Sequence, residues 1–409
     1  MNSQPLVEFG SAPFNIIDGD RGKNYPKQDE FYGNGYCLFL SAANVTSNGF
    51  DFSSSQFISE HKDNLLRKGK LKRGDVVLTT RGTIGNVGYY NGSVPFENLR
   101  INSGMVIFRC ESNKLLPAYL YHFLRSPQFH GQVNSLRSGV AQPQLPIRDM
   151  KHIKMPIPRI DKQKTIINIL STYDNLIENN RRRIQLLERS ARLFYKEWFV
   201  HLRFPDHEHV KIKGGVPEGW HKKIALEVMD VLSGGTPKTQ NQQYWNGHIP
   251  FYTPKDSIEQ AYVFTTEKTI TEEGLHNCNS KLYPKNTIFI TARGTVGKIN
   301  LAQTDMAMNQ SCYALVSKHP INQYFLYFAL LEAVQQFRSR AVGAVFDAII
   351  IDTFKLISFL IPDEKIIELY TEQVKTILNQ VDILTTQNRL LSKARDLLLP
   401  KLMNGEIPV

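Results

Sequence analysis

TTRGTIGNV, residues 79 to 87, returns as TARGTVGKI at residues 291 to 299, 212 positions further along the chain. Each copy follows an apolar triplet, Val76-Val77-Leu78 or Ile288-Phe289-Ile290, and precedes another short apolar stretch, so each reads as strand, turn, strand. Glycines at 82, 85, 294 and 297 permit positive φ and a close backbone approach to a ligand. Arg81, Thr83 and Asn86 in the first turn, and Arg293, Thr295 and Lys298 in the second, supply donors suited to a nucleic-acid backbone. Taken alone, the turn reads equally well as a tight turn with an exposed arginine.

The echo extends outward from the turn. At the same offset FYGNGYCLFLSAANV (31 to 45) lies over QYWNGHIPFYTPKDS (243 to 257), and Tyr32, Asn34, Gly35 and Phe39 match Tyr244, Asn246, Gly247 and Phe251. Further on the offset shrinks to 204. SGVAQPQLPIRDMKHIKMPIP (138 to 158) then lies over VGAVFDAIIIDTFKLISFLIP (342 to 362), and LLERSARLF (186 to 194) over LLSKARDLL (390 to 398). The chain is a duplication. Two long copies are too few for a solenoid, so two globular domains are expected, each followed by the same kind of segment.

That segment is a helix with a heptad seam. Ile166, Leu170, Tyr173, Ile177, Asn180, Ile184, Leu187, Ala191, Phe194 and Trp198 alternate steps of four and three, and 204 residues later come Tyr370, Val374, Ile377, Val381, Leu384, Asn388, Leu391, Arg395, Leu398 and Leu402. Each helix should run for about 40 residues, about 60 Å at 1.5 Å per residue, with Pro158 and Pro362 at the entries. Asn180 falls at a d position and Asn388 at an a position, and antiparallel pairs layer a against d. Antiparallel pairing is therefore expected, with Asn180 facing Asn388, Ile184 facing Leu384 and Arg395 facing Tyr173. The basic run Arg181 to Arg183 is expected on a solvated face.

Duplication also constrains recognition. Residues shared by two DNA-reading halves cannot distinguish two base sequences, so the shared turn should position and the divergent loops should specify. The most divergent polar loops are DGDRGKNYPKQDEF (18 to 31) and SGGTPKTQNQQYW (233 to 245). Arg21, Lys23, Asn24, Tyr25 and Lys27 in the first, and Thr236, Lys238, Gln240 and Gln242 in the second, are side chains suited to base edges and phosphates, as is Lys255 nearby.

Composition agrees with this direction. The 409 residues carry a formal charge of +11, which favours an acidic partner, and 42 % are hydrophobic, enough for more than one core. The four cysteines, Cys37, Cys110, Cys278 and Cys312, are far apart and show no C-x-x-C spacing, so reduced thiols are expected and no metal. No leader pattern or membrane-length apolar run is present, which points to a cytoplasmic protein without a membrane partner. Enzyme signatures are missing too: no Asn/Asp-Pro-Pro-aromatic motif of an adenine methyltransferase, no G-x-G-x-x-G and no Walker lysine motif. FPDHEHVKIK (204 to 213) reads as a hydrophilic linker rather than a metal centre, and IPDEK (361 to 365) as acids at a helix entry.

Across both halves and both helices the chain resembles the DNA sequence specificity subunits of type I restriction-modification systems. The carrying features are the duplicated T-x-R-G-T-[IV]-G turn, VPEGW (216 to 220) leading into SGGTPKT and YWNGHIPF, the entry PIPRIDKQKTI and the closing LLLPKLMNGEIPV. The first half departs from the pattern, with IIDGDRGKNYP where P-E-G-W and G-G-T-P would stand. The resemblance implies an α/β (α+β) fold with two pseudo-symmetric target recognition domains separated by two long antiparallel coiled-coil helices. It also implies the layout: recognition domain 1 at 1–157, a central helix at 158–203, linker and recognition domain 2 at 204–361, and a C-terminal helix and tail at 362–409. Each domain would read one half of an asymmetric bipartite site, half-sites on one DNA face lying about 34 Å apart. Two methyltransferase subunits, which would carry the S-adenosylmethionine, and motor-endonuclease subunits would be the protein partners. No catalytic residue or cofactor is expected in this chain. Two alternatives stay open: a recognition subunit of another phage-defence complex, and a coiled-coil scaffold with two protein-binding ends.

Overall fold

The computed structural model describes residues 6–136, 144–341 and 348–409. The chain divides into two units, one formed by Met1–Glu178 with Arg389–Val409 and the other by Asn179–Asn388. The domains expected at 1–157 and 204–361 each lie inside one unit. Each unit also takes a share of both long helices; the second is one continuous stretch of chain, whereas the first joins residues 1–178 to residues 389–409.

In the first unit an antiparallel sheet runs in the order Phe14–Asp18, Met105–Cys110, Val76–Thr79, Val87–Tyr89. A smaller sheet has Cys37–Leu40 at its centre, antiparallel to Phe57–Ile58 and parallel to Leu99–Ile101. The second unit repeats this plan. Met229–Ser233, Cys312–Ser317, Ile288–Thr291 and Ile299–Ala302 follow the same order, extended by Tyr262–Val263. Trp245–Tyr252 takes the centre of the smaller sheet, antiparallel to Lys268–Ile270 and parallel to Ala307–Met308. The central strands, Val76–Thr79 and Ile288–Thr291, are buried on both faces, which explains their unbroken apolar runs.

The repeat is also visible in the last segment before each helix. Helix Ile147–Met150 and strand Lys154–Pro156 match helix Ile351–Lys355 and strand Ser358–Ile361. The strands pair with Leu6–Glu8 and His221–Ile224 respectively. The first residues of that expected match, 138–143 and 342–347, lie outside the described residues.

One long helix spans Ile160–Tyr195 and continues as a π turn over Lys196–Val200, and the other spans Glu364–Met403. In the first unit Ile166 and Leu170 share a core with Leu399, Leu402 and Met403, and Arg395 Nη1 lies 2.6 Å from Asp174 Oδ1. In the second unit Ile184 shares a core with Val374, Val381 and Leu384, and the rings of Phe194 and Tyr370 stack at 5.4 Å. Early residues of one helix meet late residues of the other in both units, so the pairing is antiparallel within each. Tyr173, Leu187, Ile377 and Leu391 are half-buried along this seam, and Ile177 is buried.

Two details of the expected register are corrected. Asn180 is buried, but its Nδ2 contacts Gln387 Oε1 at 3.5 Å, whereas Asn388 Oδ1 is buried without a partner among the described residues. The longer side chain of Gln387 reaches the amide that Asn388 was expected to meet. Arg395 binds Asp174 rather than facing Tyr173, because a half-buried carboxylate holds a guanidinium more strongly than a ring does. In the basic run Arg182 and Arg183 are exposed and Arg181 is half-buried.

The four cysteines are unpaired thiols, and burial pushes Cys37 and Cys110 up to about 12. No helix among the described residues is long and apolar enough to cross a membrane.

Two buried ionisable groups in the first unit give measurable predictions. Asp63 is fully buried and accepts from Lys70 and from Arg100, whose guanidinium also donates to the carbonyls of Asp63, Leu66 and Lys68. Burial works against the charged form of Asp63, yet the hydrogen bonds from Lys70 and Arg100 hold its carboxyl below the usual range. Asp63→Ala leaves the Arg100 charge buried and unmatched. Urea denaturation should show a loss of about 3–5 kcal/mol in the first unit, and an unchanged midpoint would refute this account.

His122 is buried, with Nδ1 at 3.7 Å from Asp174 Oδ2, and burial depresses it to about 4 despite that carboxylate. Between pH 6.5 and 4 the unfolded chain therefore binds a proton that the folded chain does not. Stability falls as pH falls through that window, by about 3 kcal/mol in all. His122→Leu should remove that share of the slope when urea midpoints are compared at pH 4.5 and 7.

Candidate nucleic-acid interface

The two quoted turns are built alike from below. Thr79 and Thr291 are fully buried at the strand ends, and their hydroxyls donate to the carbonyls of Thr83 and Thr295. The same hydroxyls accept from the backbone N–H of Asn86 at 2.9 Å and of Lys298 at 3.0 Å. Gly82 and Gly294 sit at φ +72° and +80°, a left-handed conformation that side-chain-bearing residues rarely adopt. With the turn closed from inside, Arg81, Thr83, Arg293 and Thr295 are all exposed at its tip. Among the described residues neither arginine makes an ion pair or a side-chain hydrogen bond.

A second loop meets each turn. Gly104 O accepts from Thr80 N at 2.8 Å, and Ser311 O accepts from Ala292 N at 2.8 Å. The loop itself is tied by an asparagine: Asn102 Oδ1 accepts from Gly104 N at 2.8 Å, and Asn309 Oδ1 from Ser311 N at 3.0 Å. This element escaped the sequence reading. Its signal is INSGMVIF (101 to 108) over MNQSCYAL (308 to 315), a third offset of 207 on which only the asparagine and the apolar pattern agree.

The divergent loops arrive at the same place. Gly19 and Gly234 follow equivalent strands, and a Cβ on either would lie 2.2 Å from Asn102 O or 2.3 Å from Asn309 O. Only glycine fits, so the G-G-T-P loop and its unlike counterpart are superposable at their first residue. Beyond it they differ. In the first unit Arg21 Nη2 donates to Asp18 Oδ1 and Ser103 O, each at 3.2 Å, leaving the rest of its guanidinium exposed. Arg21, Arg81, Thr80, Asp18 and Gln144 line a cavity of about 320 Å³. In the second unit the equivalent position is Thr236, whose hydroxyl donates to Gln310 Oε1. A short helical turn, Pro254–Asp256, carries exposed Lys255 beside the tip, where Thr295 Oγ1 lies 3.5 Å from Pro254 O.

The structure therefore brings Arg21, Arg81 and Thr83 together in one unit, and Thr236, Lys255, Arg293 and Thr295 in the other. Other expected residues play different parts. Asn86 Nδ2 donates to Val45 O at 2.8 Å, Asn24 Nδ2 to Leu65 O at 3.2 Å, and Tyr25 packs its ring at 5.6 Å from Phe39. These three help to hold their own loops in shape. Lys23, Lys27, Lys238, Gln240 and Gln242 are exposed on their loops with no structural tie to the turn, and Lys298 is half-buried at its foot. Among the described residues no group of three or more His, Cys, Asp or Glu side chains could hold a metal. In the FPDHEH stretch, His207 Nδ1 lies 2.9 Å from Phe204 O and closes the loop on itself.

Comparison with known proteins agrees with this duplicated geometry. The family described as type I restriction modification DNA specificity domain matches residues 14–189 and again 217–393. The HindI specificity subunit of Haemophilus influenzae is 23 % identical, the alignment covering 95 % of this chain and 98 % of the relative. The MjaIX specificity subunit of Methanocaldococcus jannaschii is 25 % identical, covering 82 % and 78 %. Among solved structures, the S subunit of the type I restriction-modification system of M. genitalium shares the fold, with a TM-score of 0.55 at 15 % identity over 98 % of this chain and 97 % of that one. Each family match contains one copy of the Thr-locked turn and of the asparagine loop that meets it, so on sequence and fold together the chain belongs to the type I restriction-modification DNA specificity family.

Proposed function

We propose that this chain is the sequence-reading, non-catalytic subunit of a type I restriction-modification complex, each unit recognising one half of an asymmetric bipartite DNA target. The observation that carries this reading is the pairing of an identical scaffold with unlike side chains. The Thr-locked turn and the asparagine loop are common to both units, while Arg21 in one stands where Thr236 with Gln310 stands in the other. Arginine reads guanine O6 and N7, and glutamine reads adenine, through paired hydrogen bonds in the major groove. Arg81, Arg293 and Lys255 supply sequence-independent contacts to phosphate. The adenine to be modified is taken out of the helix into the pocket of a methyltransferase subunit, which brings its own S-adenosylmethionine, so this chain supplies binding and register.

Apolar faces on the helices support protein partners. In the second unit Leu186, Leu193 and Val200 recur at seven-residue spacing and are 66 %, 51 % and 51 % exposed. In the first unit Leu390 and Leu397 show the same spacing at 55 % and 59 %. A heptad stripe left in solvent is a surface for another helix, and two such stripes suit two methyltransferase subunits. Motor-endonuclease subunits join the complex so formed.

Methylome sequencing of a host carrying this chain with its cognate methyltransferase tests the reading. Methylated adenines should appear in a split asymmetric motif and vanish on deletion of the chain, and Gln310→Ala should relax one half of the motif only. A methylome indifferent to the deletion would sink the proposal. For the partners, Leu186→Glu with Leu193→Glu should abolish co-purification of the methyltransferase while leaving the circular dichroism spectrum unchanged. Retained co-purification would remove this stripe from the interface.

A further inference from the structure

The run Leu66-Arg67-Lys68-Gly69-Lys70-Leu71-Lys72-Arg73 is the most basic stretch of the first unit, and it folds into a strap whose backbone is fixed at every residue from 67 to 72. Arg67 N donates to Asp20 Oδ2 at 2.7 Å, Lys72 N to Asp75 Oδ2 at 2.7 Å and Leu71 N to Leu99 O at 2.9 Å. The carbonyls of Lys68, Gly69 and Lys70 accept from Arg100 Nη1 at 2.6 Å, Ile101 N at 2.9 Å and Arg109 Nη2 at 3.1 Å. The strap borders a cavity of about 330 Å³ lined by Arg67, Lys68, Lys70, Lys72 and Arg109.

The nearby acids are already engaged. Asp63 holds Lys70 and Arg100, Asp75 holds Arg109 at 2.6 Å, and Asp20 accepts from the backbone of Gly22 and Arg67. The side chains of Arg67, Lys68 and Lys72 are exposed and make no ion pair among the described residues. Three cations on a rigid backbone, none of them in an ion pair among the described residues, form a site for an anion.

The second unit is different at the equivalent place. Tyr283 N donates to Met306 O at 2.8 Å as Leu71 N does to Leu99 O, which aligns Asn279, Ser280 and Pro284 with Arg67, Lys68 and Lys72. There the loop packs directly, a Cβ on Gly235 lying 2.6 Å from Asn279 N. In the first unit Asp20 takes that position and is hydrogen-bonded to the strap.

The geometry points to a phosphate-binding strap in the first unit alone: Arg67, Lys68 and Lys72 grip the DNA backbone beside the half-site that Arg21 and Arg81 face. This rests on the DNA-binding reading above, which it deepens by making the grip on the two half-sites unequal. Each phosphate contact lowers the slope of log K against log salt by roughly 0.9.

The test uses the complex with its methyltransferase, and fluorescence anisotropy on two duplexes, one carrying the motif found by methylome sequencing and one with it scrambled. The variant Arg67→Gln/Lys68→Gln/Lys72→Gln should make the salt slope shallower by about 2–3. It should weaken both duplexes by the same factor and leave the methylated motif unchanged. The charge-conserving variant Arg67→Lys/Lys68→Arg/Lys72→Arg should keep the wild-type slope. An unchanged slope in the glutamine variant overturns the strap, as does a loss confined to the motif duplex or an altered motif, which would mean that these residues read bases. Failure of the wild-type complex to prefer the motif duplex would instead count against the function reading itself.

Discussion

A buried hydroxyl underlies each of the two arginine turns. A seven-residue excursion between two core strands, 80–86 or 292–298, would leave backbone groups unsatisfied beneath it, and an unsatisfied buried N–H or C=O costs about as much as a lost hydrogen bond. Thr79 and Thr291 solve this from inside by donating to one carbonyl of the turn and accepting from one N–H. With the turn closed from inside and braced at its foot by the asparagine loop, its tip carries an exposed arginine and an exposed threonine. The loop held by Asn102 or Asn309, and the glycine that presses against it, then have a fixed edge to pack on.

The two units show how one scaffold can keep its geometry while the side chains it carries differ. Contacts that set the backbone lie within the shared elements, and the side chains that differ lie one or two residues beyond them. Gly19 and Gly234 are pressed against the backbone of the asparagine loop, whereas Arg21 and Thr236 are exposed and accept very different chemistry. Exchange of these two side chains therefore carries little penalty in stability, since surface positions away from caps and cores usually change stability by less than about 0.5 kcal/mol.

Much of this was readable in the chain itself, for reasons that differ by element. The strand-turn-strand units were legible because an apolar run, two glycines and a second apolar run have few other solutions. The helices were legible because a seam of ten positions in step is hard to produce by chance, and the antiparallel sense followed from where the asparagines fell. Their partners were not, because a shift of one residue between Asn388 and Gln387 depends on side-chain length rather than on pattern. That Asn24 and Asn86 tie their own loops and Tyr25 packs on Phe39 was hidden for a similar reason. An amide or phenol in a polar loop looks the same in sequence whether it faces a ligand or a carbonyl of its own fold. The asparagine loops were overlooked because a third offset, with little identity, hides inside a repeat already aligned at two others.

The core of the first unit contains Leu399, Leu402 and Met403, contributed from the far end of the second long helix. During synthesis, residues up to Glu178 leave the ribosome some 225 residues before those side chains exist. At 5–20 residues per second that interval is about 10–45 s. For that time the nascent first unit has an open apolar edge, exposed to chaperones, to proteases and to other nascent chains. The second unit, whose residues 179 to 388 are contiguous, is complete earlier and can fold first, so the order of folding runs opposite to the order of translation.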